Sequence, residues 1–165
     1  MADYKDPENT LLIETTKGPV VIEMRPDLAP GHVAHIKKLA REGAYDGVVF
    51  HRVIDGFMAQ TGDVQHGKLP DTSRAGTGGS QYPDIKAEFN AEPHVRGIVS
   101  MARAQNPNSA NSQFFIVFDD ARFLDRQYTV WGKVISGMEN VDQIKRGEPV
   151  RDPDSMISVK VAADA

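Results

Sequence analysis

At 165 residues the chain has the length of one domain, and it is long enough to bury roughly two-thirds of the surface its unfolded form exposes. A net charge of -4 gives the molecule no overall field that would recruit nucleic acid or an anionic membrane. The absence of cysteine excludes thiol chemistry and cysteine-ligated zinc.

The opening MADYKDPENT is polar and acidic where a secretory signal would be basic and then apolar, and no run approaches membrane-spanning length. A cytoplasmic protein is therefore expected, as a single domain over residues 1–165 with its core at about 10–163. From Thr10 to Met24, apolar and polar residues alternate around Lys17-Gly18-Pro19, which predicts two half-buried strands joined by a tight turn. Asp27 to Arg41 has the marks of a helix: Pro30 suits its first turn, Val33, Ile36 or Lys37, and Ala40 recur at helical spacing, and Gly43 is a natural stop.

Phe50 to Asp63, FHRVIDGFMAQTGD, is the stretch around which the chain is organised. Two short apolar runs flank Asp55-Gly56, a strong hairpin signal. The hairpin carries a guanidinium at Arg52, an amide at Gln60, and Phe57 and Met58 between them. Strict strand alternation would put Phe57 and Met58 on opposite faces, so a pocket using both requires a local twist or bulge.

Val64 to Asp84 is loop by composition, with GTGGS at Gly76 to Ser80, and long irregular segments inside a compact domain are more often functional than idle. Val95 to Ala104 and Gln113 to Phe118 predict a second hairpin with a broad polar connection. Tyr128 to Ile135 predicts a strand, Gly137 to Lys145 a short helix, and Ser155 to Ala162 a last strand with Ile157, Val159 and Val161 on one face. The sum is an all-β protein: about eight strands in a closed antiparallel barrel with two helices over its ends.

Several chemistries can be weighed on these residues. His32 and His35 can share a helix face, but no third ligand is evident, so a solvated face is expected in place of a metal site. His51 follows strand alternation to the face opposite Arg52, as a core or rim histidine. The GTGGS loop lacks the Gly-Lys-Ser/Thr and following helix of a phosphate-binding loop, and no serine sits in a Gly-x-Ser-x-Gly elbow. What remains is a repeated pairing of amide and aromatic groups. Gln113-Phe114-Phe115 echoes the first hairpin, and Phe123-Leu124 adds an apolar pair on a loop.

These motifs, FHRVIDGFMAQTGD, GTGG, SMARAQNPNSANSQFFI, FLDRQYTVWGKV and GMENVDQI in this order, resemble the cyclophilin family of peptidyl-prolyl cis/trans isomerases over nearly the whole domain. The resemblance implies an eight-stranded antiparallel barrel capped by two helices, and rotation about X-Pro bonds of peptides and folding proteins as the activity. It implies no cofactor and no metal, with Arg52 as the catalytic residue. Phe57, Met58, Phe115 and Leu124 would build the proline pocket, and Gln60 and Gln113 would steady the substrate backbone. Ala102 and Arg103 would line the peptide groove, with Gly76 and Thr77 flanking the subsite for residues before the proline. Phe123, Tyr128 and Arg103 stand where eukaryotic members carry Trp, His and Asn, a combination similar to the bacterial branch. Without the indole N–H at position 123, weak binding of cyclosporin-type ligands is expected. A monomer is expected, and the competing reading is a non-catalytic proline-peptide binding chaperone or adaptor. A lipocalin-type barrel would need an open cavity, whereas the apolar character of both faces of several strands favours a filled interior.

Overall fold

The first predicted hairpin forms as strands β1 (Thr10–Thr15) and β2 (Gly18–Met24), antiparallel from Thr10 opposite Glu23 to Thr15 opposite Gly18. The computed structural model describes residues 4–165; Met1, Ala2 and Asp3 of the polar opening lie outside the described residues. The alternating residues Leu11, Ile13, Val20, Ile22 and Met24 are all buried, which is the period-two burial that the sequence pattern demands. Helix α1 (Pro30–Arg41) begins on the proline, whose missing N–H costs nothing in a first turn, and buries Val33, Ile36, Leu39 and Ala40. Seven further strands follow: β3 (Val48–Val49), β4 (Arg52–Ile54), β5 (Met58–Thr61), β6 (Ile98–Met101), β7 (Phe114–Val117), β8 (Val130–Ser136) and β9 (Ser155–Val161). The short helix α2 (Met138–Val141) lies between β8 and β9.

All the strands join one antiparallel sheet in the order β3-β9-β1-β2-β8-β6-β7-β5-β4. Its first and last members are separated in the chain only by Phe50 and His51. The sheet therefore curls until its two edges are successive parts of one stretch, residues 48–54. The class is the expected one, mainly β with two helices. The strand count differs from eight because the third strand is interrupted at Phe50-His51. Phe50 N–H donates to Asp154 O at 2.8 Å and Val150 N–H to His51 O at 3.1 Å, so the interruption is still sutured to the segment leading into β9.

β6 and β7 are buried on both faces. Phe114, Ile116, Val99 and Met101 pack inward in the main core beside Trp131, while Phe115, Val117 and Ile98 form a second apolar cluster with Met58, Leu124 and Val130. The wall β5-β7-β6 is thus apolar inside and out, and its outer face needs a cover. Residues 121–128 supply one, through Ala121 and Leu124.

Three expectations are corrected. The His32 and His35 face of α1 is not solvated: both side chains are buried. His32 N–H and Gly31 N–H donate to the Glu88 carboxylate at 2.7 and 3.0 Å, and the ring Nδ1 lies 2.5 Å from the same carboxylate. A carboxylate can only accept here, so Nδ1 carries the hydrogen. Ile157 is 54% exposed, not part of the buried face of β9, because the β1-β9 register shifts: Glu14 faces Ser158, Thr15 faces Met156, and Ile157 is bulged out. Finally, α2 stops at Val141 instead of running to Lys145, since the N–H groups of Gln143 and Ile144 bond three residues back, to Asn140 O and Val141 O.

Candidate active site

A single cross-strand row generates the site. Arg52 of β4 pairs with Gln60 of β5, Gln60 with Phe115 of β7, and Phe115 with Ser100 of β6. Because strand side chains alternate, one register fixes all four on the same side of the sheet. Two residues along, Ile54 pairs with Met58 and Met58 with Val117, which continues the apolar floor. Phe57 escapes strand alternation. It belongs to the turn, its N–H donating to Ile54 O at 3.0 Å, so it can stand beside Met58 without a bulge in β5.

A cavity of about 140 Å³ opens on this row, lined by Arg52, Phe57, Met58, Gln60, Ala102, Arg103, Phe115, Leu124 and Tyr128. All nine were singled out from the sequence. A polar groove of about 640 Å³ adjoins it through the shared Gln60, Ala102 and Arg103, and includes Gly76, Thr77 and Gln113. Phe123 lines neither; it is 72% exposed at the rim, its ring 5.6 Å from that of Phe57.

An amide relay connects the two compartments. Arg52 Nη1 donates to Gln60 Oε1 at 3.4 Å, Gln60 Nε2 to Gln113 Oε1 at 3.0 Å, and Gln113 Nε2 to Gly78 O at 2.9 Å. Each amide orientation is set by the next acceptor, so the guanidinium is aligned from the groove side. The Arg103 guanidinium donates to Gln127 O at 2.9 and 2.8 Å and lies over the Tyr128 ring. The backbone N–H and C=O of Arg103 have no protein partner among the described residues.

A family model described as cyclophilin type peptidyl-prolyl cis-trans isomerase/CLD matches residues 10–163. The chain is 61% identical to a probable peptidyl-prolyl cis-trans isomerase of Brucella suis, over 99% of this chain and 87% of the relative. It is 42% identical to peptidyl-prolyl cis-trans isomerase B of Bacillus subtilis, over 81% of this chain and 87% of that one. This chain belongs to the cyclophilin-type peptidyl-prolyl cis/trans isomerases. A crystal structure of a cyclophilin from Hirschia baltica superposes with a TM-score of 0.86 at 34% identity, covering 97% of this chain and 76% of the other. A Cryptosporidium parvum cyclophilin crystallised in the presence of the dipeptide Ala-Pro superposes with a TM-score of 0.81 at 26% identity, covering 92% and 98%.

Within this cyclophilin the loop walls of the groove are built on a buried carboxylate. Asp63, fully buried, accepts four backbone N–H groups: Gln65 and His66 at 3.0 and 2.8 Å on one oxygen, Gly76 and Gly78 at 2.8 and 2.9 Å on the other. Burial alone would raise its pKa, but the four donors hold it below the ordinary aspartate value. A Cβ on Gly78 would sit 2.6 Å from the Asp63 carboxylate, so only glycine allows this approach. The glycine-rich loop therefore spends its donors on an internal anion, which explains why it holds no phosphate-binding geometry.

Behind Phe115, the His94 ring stacks at 6.2 Å between centroids and links Asp125 to Ser100: Nδ1 to the carboxylate at 3.1 Å, Nε2 to the hydroxyl at 2.9 Å. The order Ser-His-Asp is that of a hydrolase, but His94 and Ser100 are fully buried, so no substrate reaches the hydroxyl. The array is a support for the pocket floor. Burial lowers the pKa of His94 despite the carboxylate, and so keeps the ring neutral.

Sequence reasoning missed Asp63, Glu148, and the groove residues Tyr82, Asp84 and Asn111. The long-loop signal over Val64 to Asp84 covered Tyr82 and Asp84 without selecting residues, and Asp63 stood at the end of the hairpin stretch without being singled out. Glu148 carries no local signal at all.

Proposed function

We propose that Arg52 accelerates X-Pro isomerisation by donating a hydrogen bond to the imide nitrogen as its lone pair localises. The observation that carries this reading is the shared row: an alkali-proof cation and an apolar seat on one side of one sheet. An X-Pro bond rotates slowly because its nitrogen lone pair is delocalised, with a barrier of ~20 kcal/mol and relaxation over tens of seconds. Phe57, Met58, Phe115 and Leu124 would hold the proline ring. Gln60 and the unpartnered backbone of Arg103 would restrain the preceding residue, so that rotation is confined to one bond. The guanidinium interacts weakly with the planar imide and strongly with the pyramidal nitrogen, which is differential binding of the transition state. A millionfold acceleration needs roughly 8 kcal/mol, within the reach of these contributions together.

A protease-coupled assay on an Ala-Pro peptide tests this. Arg52→Ala should lose about a hundredfold or more in kcat/KM with an unchanged melting temperature, and retention of activity would refute the assignment. The clients are proline-containing segments of unfolded or flexible proteins. Cyclosporin-type ligands should bind weakly, because the exposed ring of Phe123 brings no N–H donor to the rim.

A further inference from the structure

The guanidinium of Arg52 has a second tether that comes from a distant part of the chain. Its Nε donates to Glu148 Oε1 at 3.2 Å. Glu148 arrives there by backbone register: Val53 and Gly147 form an antiparallel bridge with reciprocal N–H to O bonds of 2.8 Å, and Val150 N–H bonds to His51 O. In an antiparallel pair this sets Glu148 across from Arg52. The chain doubles back tightly just before it, since a Cβ on Gly147 would lie 2.8 Å from Pro149 O. Glu148 Oε1 and Gln60 Oε1 thus hold Arg52 at two atoms, Nε and Nη1. Nη2 has no partner among the described residues, which makes it the free donor at the cavity.

We propose that Glu148 is a positioning residue for catalysis: it fixes the rotation of the guanidinium so that Nη2 faces the imide nitrogen. An arginine side chain has several soft torsions, and a single tether to Gln60 would leave the fork free to swing about that bond. Two tethers on different nitrogens remove that freedom before substrate arrives, so the entropy of alignment is not charged to the transition state. The role is geometric, and an uncharged acceptor at the same place serves it.

This inference rests on the role proposed for Arg52, and its test separates the two. With kcat/KM from the protease-coupled assay and peptide Kd from titration, Glu148→Ala should lower kcat/KM about fivefold while Kd changes less than about twofold. Glu148→Gln should recover most of the loss, because its amide oxygen accepts from Nε. In an Arg52→Ala background Glu148→Ala should have no further effect. Asp55→Asn, which removes a neighbouring surface carboxylate and keeps the turn, should match the wild type. The inference is overturned by wild-type kcat/KM in Glu148→Ala, by an equal loss in Glu148→Gln, or by an undiminished effect without Arg52. An inactive wild type would overturn both readings; an active one with an unaffected Glu148→Ala overturns only this one.

Discussion

Phe123 presents most of its ring to solvent beside Phe57, and so offers a bound cyclic peptide an apolar face but no hydrogen-bond donor. Phe123→Trp adds one N–H at the rim with little change in apolar area. One new hydrogen bond is worth ~1 kcal/mol, so cyclosporin should bind about fivefold more tightly to the variant in a fluorescence titration. An unchanged Kd would show that this ring does not set the affinity. Single residues differ in how far the sequence discloses them. Arg52 and Gln60 follow from the Asp-Gly turn, which fixes their pairing within nine residues of chain. Glu148 does not, because the register that brings it to Arg52 is set by a bridge 94 residues apart, from Val53 to Gly147, with no compositional trace.

Elements show the same division between local and distant causes. Strands β1 and β2 were legible because each alternates and one face is buried. The adjacency of β5 and β7 was not, since it joins two hairpins through a long irregular stretch. Ile157 shows the limit of periodicity: one bulge reverses the face of everything beyond it. The loop 63–80 is an element organised by Asp63 instead of by a ladder. Asp63→Asn would leave one oxygen and an NH2 group facing four backbone donors, and should cost about 2–4 kcal/mol in denaturant unfolding. The native carboxyl has a depressed pKa, so its contribution is present above the unfolded value near ~3.9 and is lost as pH falls through the folded one. The variant should therefore converge with the wild type in strong acid, and a difference that persists there would exclude the charged cradle as the cause.

At the scale of the molecule, four histidines are buried: His32, His35, His51 and His94. Burial is the first cause of a lowered pKa at each, over the opposing carboxylates Glu88, Asp63 and Asp125 at three of them. The unfolded chain then binds more protons than the folded one below about pH 6.5, so acid destabilises, by up to ~1.4 kcal/mol per histidine per pH unit. Asp125, whose pKa the Arg122 guanidinium and His94 hold at about 2 against the effect of burial, adds a further loss only in much stronger acid. The melting temperature should fall from pH 7.5 to 5.5, and His35→Phe should reduce that slope. By contrast kcat/KM should stay flat from about pH 6 to 9, because in the proposed mechanism the guanidinium exchanges no proton during imide rotation. A bell-shaped rate profile would instead point to acid-base groups outside this mechanism.

The interrupted strand at residues 48–54 ties this chemistry to the architecture. Since Arg52, the cation proposed to act on the imide, rides on the stretch that holds both margins of the curled sheet together, nothing can unfasten that seam and spare the proposed site. Heat inactivation should accordingly coincide with cooperative collapse of the whole protein, with no quiet, folded but disabled species preceding it.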